Sequence, residues 1–191
     1  MSSKSLYRLA GWAGLGCAAI LLLNAARRGS LIPDDLAVTH ALAPLAEALG
    51  LFLVTGLFLA DRRSTGSLGT VGYALNSLGM AGLLGVEFIL NLVFPELAKP
   101  QITTLLNGLT GTVFTFSSIL FLVGATTLGA ALWKSGGVSR PAIAAYVLGA
   151  VPVALRGVLP TAVFPPGLLV MAVGVGLLGL TLVRRAPALD A

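Results

Sequence analysis

The sequence predicts an all-α fold: a polytopic membrane protein, a bundle of six transmembrane helices forming a single domain over residues 1–191 with both termini in the cytoplasm. Three observations lead there. Of the 191 residues, 57% are hydrophobic and only 10% charged, whereas soluble domains carry roughly 25% charged residues to cover themselves with water-compatible groups. The apolar residues gather in six stretches, each near the roughly 20 residues a helix needs to cross a hydrocarbon core of about 30 Å. The 12 Lys and Arg residues stand mainly at the ends of those stretches, where topology signals and headgroup contacts belong.

The first span runs from about Leu9 to Ala26 and is closed by Arg27 and Arg28. Lys4 and Arg8 give it a basic start like that of a signal peptide, but the apolar region is long and no clean small-x-small cleavage site follows, so it reads as a retained helix. The segment RRGSLIPDD makes a short turn, with Pro33 as breaker and Asp34 or Asp35 as N-cap of a second span from about Asp35 to Ala60. Asp61, Arg62 and Arg63 end that helix, and the loop STG leads to a third span, Ser67 to Phe94, stopped by Pro95. The fourth runs from Ile102 to Trp133 and the fifth from Pro141, well suited to a first helical position, to Leu159. Pro160, Pro165 and Pro166 bracket the turn into the sixth, Val163 to Val183.

Six spans put the N-terminus, the second and fourth loops and the C-terminus on one side, with Lys4, Arg8, Arg62, Arg63, Lys134, Arg140, Arg184 and Arg185. Arg27, Arg28, Lys99 and Arg156 fall on the other, and this split of eight against four places both termini inside. Loops of about 6 to 11 residues leave no room for a soluble catalytic or nucleic-acid-binding module. The formal charge of +5 therefore speaks of membrane topology rather than of an acidic partner, and no nucleic acid is expected. The single cysteine, Cys17, sits in an apolar helix and cannot form an intramolecular disulfide.

The 24 glycines fall largely inside spans, among them Gly11, Gly14 and Gly16 in the first, Gly79, Gly82 and Gly85 in the third, and Gly174, Gly176 and Gly179 in the sixth. Small residues let helix backbones approach in lipid, where packing drives association.

The chain has no HExxH, GxSxG, phosphate loop, Cys pair or Asp pair suited to intramembrane proteolysis. One histidine is too few for an ordinary zinc site or a bis-His haem, so neither metal nor cofactor is expected and enzymatic function of a familiar type is disfavoured. What remains is polar geometry within the spans. His40 and Glu47, seven residues apart, share one helix face; so do Asn76 and Glu87, eleven apart, and Asn91 follows Glu87 by four. Asn107, Gly111, Thr115 and Ser118 make a similar stripe on the fourth span, and Arg156 stands one turn before the end of the fifth.

At 1.5 Å per residue from the predicted outer ends, His40 and Asn107 lie about 8 Å deep, Glu87 about 11 Å, Arg156 about 5 to 6 Å and Glu47 up to about 18 Å. All five fall in the outer half. A charge at a helix centre costs about 2.5 to 3.5 kcal/mol on the insertion scale, so Glu87 and Arg156 are expected to pair. The bland reading is that Glu87, Asn91 and Arg156 are interhelical glue, His40 a satisfied interface residue, and the fourth-span hydroxyls bonded to their own backbone. Glu47 is the strongest functional candidate, because it is deepest and has the apolar neighbours Leu45, Ala46, Ala48 and Leu49.

This order of features resembles a group of short bacterial integral membrane proteins of unknown function. The likeness is carried by RLAG (Arg8 to Gly11), by LAEALG around Glu47 and by KSGGVSRPAIAAYVLGA (Lys134 to Ala150). It implies six spans and a bacterial inner-membrane location, and brings no activity with it.

Function is read accordingly: a multi-pass membrane protein that binds or passes a small molecule, lipid or ion through its polar cluster, with His40, Glu47, Asn76, Glu87, Asn91, Asn107 and Arg156 as candidate contacts. Expected partners are membrane lipids and either another membrane protein or a second copy of the chain. The alternative is a non-enzymatic accessory subunit that docks through its glycine-rich faces. A third reading is a small enzyme acting on a lipid or quinone, with Glu47 and His40 as acid and base.

Overall fold

The computed structural model describes residues 3–33 and 37–186; Asp34 and Asp35, read above as an N-cap, lie outside them. The described residues form α1 (Ser3–Arg28), α2 (Ala37–Phe88), α3 (Lys99–Asn107), α4 (Leu109–Ser135), α5 (Arg140–Ala154) and α6 (Phe164–Arg185). A π-helical turn, Ile89–Val93, and a 3-10 turn, Phe94–Glu96, follow α2, and a second 3-10 turn, Thr161–Val163, precedes α6.

Four helical runs are long and apolar enough to cross a membrane: Lys4–Arg28, Ala37–Glu96, Leu109–Ser135 and Thr161–Arg185. The chain is a multi-pass membrane protein, and the expected six transmembrane helices are corrected to four. The second and third predicted spans belong to one 60-residue run. Ser64 and Thr65, expected in a loop, stay helical and donate their hydroxyls to the Asp61 carbonyl at 2.9 and 3.0 Å. The predicted fifth span is a helix of 15 residues, about 22 Å long against a core of about 30 Å. Pro152 lies in its last turn, lacking an N–H and crowding the carbonyl four residues back, and the helix ends two residues later at Ala154. The cytoplasmic placement of both termini rested on six spans and is withdrawn with that count.

Gly66 bends α2 back on itself. Its φ of 58° and ψ of −148° lie where essentially only glycine is comfortable. The two arms then run side by side: the Thr55 and Tyr73 hydroxyls are 3.2 Å apart, and the Phe58 and Tyr73 rings stack at 4.4 Å. In a straight helix, residues 55 and 73 would be about 27 Å apart.

The helices pack closely through glycine. The second arm of α2 lies antiparallel to α4, with Gly72 against the backbone of Leu128, Gly79 against that of Phe121, and Gly124 against that of Asn76. α5 and α6 do the same through Gly149 against Met171 and Gly174 against Tyr146, and α1 meets α6 through Gly14 and Gly179. Such approaches maximise dispersion contacts where burial from water provides no drive. Leu53, Leu57, Leu83, Phe121 and Leu178 fill the interior, while Trp12, Phe52, Leu78 and Phe116 face outward, as suits a surface solvated by lipid.

The bundle has two chemically distinct ends. At one, Arg185 holds the buried Asp61 with a two-pronged contact of 2.9 and 3.0 Å and donates to the Gly137 carbonyl at 2.8 Å, joining α2, the loop after α4 and α6. The other end carries Glu87.

Candidate functional site

Pro95 shapes the Glu87 end. Having no N–H and a ring that crowds the carbonyl four residues back, it cannot extend an α-helix, and the chain widens into the π turn just before it. The Phe94 N–H consequently bonds the carbonyl of Ile89, five residues back. Asn91, buried within this turn, donates Nδ2 to both the backbone carbonyl and the Oε2 of Glu87, each at 2.9 Å. Its Oδ1 accepts from Nη2 of the buried Arg27 at 3.0 Å. On the other side, Arg156 Nη1 donates to Glu87 Oε1 at 2.5 Å. A continuous chain of hydrogen bonds, Arg27–Asn91–Glu87–Arg156, therefore ties α1 to the end of α2 and to the turn after α5.

A cavity of about 30 Å³ lies against this chain, room for about two water molecules. Asn24, Arg27 and Arg28 of α1 line it together with Glu47 and Glu87, and Phe164 and Met171 of α6 close it. The pairing expected of Glu87 and Arg156 is present, and Glu47 faces the same cavity as Glu87. Arg156 lies beyond α5 rather than within it, because that helix stops at Ala154.

Other sequence candidates stand elsewhere. Asn76 is fully buried and donates Nδ2 to the Tyr146 hydroxyl at 2.7 Å, bridging the second arm of α2 to α5. Asn107 is exposed at the end of α3, because Gly108 breaks the predicted fourth span in two. The expected stripe on that span is broken with it, and the Thr112 and Thr115 hydroxyls bond the carbonyls of Gly108 and Gly111. His40 is half-buried on α2 and is not part of the cavity wall.

In the sequence Arg27 and Arg28 read as the end of a span and as topology signals, and Asn24 is not among the candidates. Their spacing of three and four residues, which puts all three on one helix face, was the available signal. Tyr146 and the Asp61–Arg185 contact carried no local signal, since their partners are 70 and 124 positions away.

Among the described residues, no group of three His, Cys, Asp or Glu is placed to hold a metal ion. No family model matches this chain, and neither does any curated protein or solved structure. The resemblance to short bacterial membrane proteins thus finds no support from homology. What stands is an all-α, largely hydrophobic helix bundle with buried polar contacts inside it.

Proposed function

We propose that this protein binds a small molecule at the Glu87 end of the bundle, and that binding rather than passage is its task. The observation that carries this reading is the chain Arg27–Asn91–Glu87–Arg156, which borders the small cavity on one side and an open cleft beside Arg156 on the other. Such a network holds guanidinium groups in fixed positions, as a binding site requires. Toward the Asp61 end the interior is filled by Leu53, Leu57 and Phe121, which supports a site closed on that side.

The small residues favour this reading over an accessory subunit. Gly72, Gly79, Gly124, Gly149 and Gly174 meet backbone of the same chain, so these contact faces are used within the bundle. Glu47, at the cavity wall, is the proposed polar contact deepest in the site, and the bacterial inner membrane is the proposed location.

The test is thermal unfolding of the purified full chain in mild detergent against a panel of neutral, anionic and cationic amphiphiles and small ions. At least one class should raise the unfolding temperature, and less so in the Glu87→Gln, Arg156→Gln double variant. A panel without any stabilising member, or stabilisation equal in the variant, rejects the reading.

A further inference from the structure

Two clefts meet at Arg156. One, of about 380 Å³, is lined by Arg28, Leu90, Arg156, Thr161 and Phe164. The other, of about 530 Å³, runs between the π turn, α4 and the turn after α5, and shares Leu90 and Arg156 with the first. Both volumes fall within the range of small-molecule sites, about 300–1,000 Å³.

We propose that this double cleft binds an anionic phospholipid, its phosphate between Arg28 and Arg156 and one acyl chain along the apolar branch. The proposal rests on the ligand-binding reading above and names its ligand class.

The polarity of the clefts is segregated as in an amphiphile. Both arginines line the first branch, while the second is walled largely by side chains such as Leu106, Phe114, Ile119 and Val158. Among the described residues neither wall contains a carboxylate. Glu87, the acid bonded to Arg156, already accepts from Arg156 on one oxygen and from Asn91 on the other. Among the described residues a cationic headgroup would find no free carboxylate there, whereas a phosphate meets two guanidiniums.

The donors are available. Among the described residues only Nη1 of Arg156 bonds to protein, which leaves Nε and Nη2, and its side chain keeps 21% exposure. Arg28 is exposed. A guanidinium offers parallel N–H groups that match two phosphate oxygens, and Thr161 adds a hydroxyl at the same wall. The start of α6 is a weaker donor than most helix starts, since Pro165 and Pro166 carry no N–H there. Recognition therefore falls to the two arginines, and Glu87 acts as a positioning residue that sets the angle of Arg156.

A free phosphate would leave the apolar branch unused. That branch opens on a surface of exposed Leu106, Val113, Phe116 and Ile119, where lipid chains are the solvent. Basic pockets between helices at a membrane surface are a recurring way to hold acidic headgroups.

The test is native mass spectrometry of the full chain released from detergent, titrated with dioleoyl phosphatidylglycerol, dioleoyl phosphatidylcholine or glycerol phosphate. Phosphatidylglycerol should be retained preferentially, and Arg28→Gln and Arg156→Gln should each weaken it about five-fold or more, the effect of losing one basic residue near an acidic headgroup. Val158→Trp, at an exposed position of the apolar wall, should weaken it with both arginines intact. Arg28→Gln removes no protein contact among the described residues, so it keeps the test decisive if Arg156→Gln fails to fold. Equal retention of phosphatidylcholine, unaffected by either arginine variant, overturns the anionic class while leaving the ligand-binding reading in place. Glycerol phosphate competing as well as the lipid overturns the acyl-chain placement. Retention of none of the three overturns the proposal, and the broader reading is then judged by its own amphiphile panel.

Discussion

Arg156 and Glu87 lie 69 positions apart and are joined by a direct hydrogen bond from guanidinium Nη1 to carboxylate Oε1. The contact anchors the irregular turn after α5, where no helix holds the backbone, to the last helical turn of α2. The carboxylate's second oxygen is held by Asn91, so each group has its place set by the other.

Removing either partner alone should destabilise the fold by about 1–3 kcal/mol, the cost of leaving a half-buried charge without its hydrogen bond. The side chains keep 21% and 16% exposure, so water offsets part of that loss. The Glu87→Gln, Arg156→Gln double variant should recover part of it in thermal unfolding of the detergent-solubilised protein. Strictly additive single effects would show that the pair is not coupled.

Gly66→Ala should destabilise the hairpin by about 1–3 kcal/mol through backbone strain alone. A Cβ there meets nothing within 4 Å, so steric crowding does not contribute. Gly85, equally open but with no positive φ, is the control, and Gly85→Ala should be neutral or slightly stabilising. Equal unfolding temperatures for the two variants would contradict the assigned role of Gly66.

Gly124→Ala should cost about 1–3 kcal/mol for a different reason, since its methyl would drive into the Asn76 backbone and force α4 from α2. Gly176→Ala places a methyl 3.4 Å from the Ala18 Cβ, a contact that a small shift accommodates, and should be nearly silent. Thermal unfolding of both variants compares them directly; a tolerated Gly124→Ala would mean that the helices are less closely seated than described.

Asn76→Ala should cost about 1–3 kcal/mol by opening a void and stranding the buried Tyr146 hydroxyl. Adding Tyr146→Phe should restore part of the loss, because the stranded group is then gone. Chemical denaturation of the two single variants and the double one measures this coupling, and a double variant less stable than Asn76→Ala would rule out the hydrogen bond as its source.

Composition and apolar run length alone determined that this chain is a helical, multi-pass membrane protein, because the lipid interior admits few charges and requires each backbone to satisfy its own hydrogen bonds. The Glu87–Arg156 pair was legible as well, since two costly charges at similar depth have few other partners. Tertiary structure decided what local pattern does not encode. That Gly66 folds two arms of one helical run together shows only in the contacts between the arms, Thr55 to Tyr73 and Phe58 to Tyr73. Pro152 lies in the last turn of α5, whereas Pro44 lies inside α2 without ending it, so the residue type alone does not say which proline stands at a helix end. Arg27 became part of the cluster only because the π turn before Pro95 brings Asn91 to it from 64 positions away, a juxtaposition that exists only once the helices have packed.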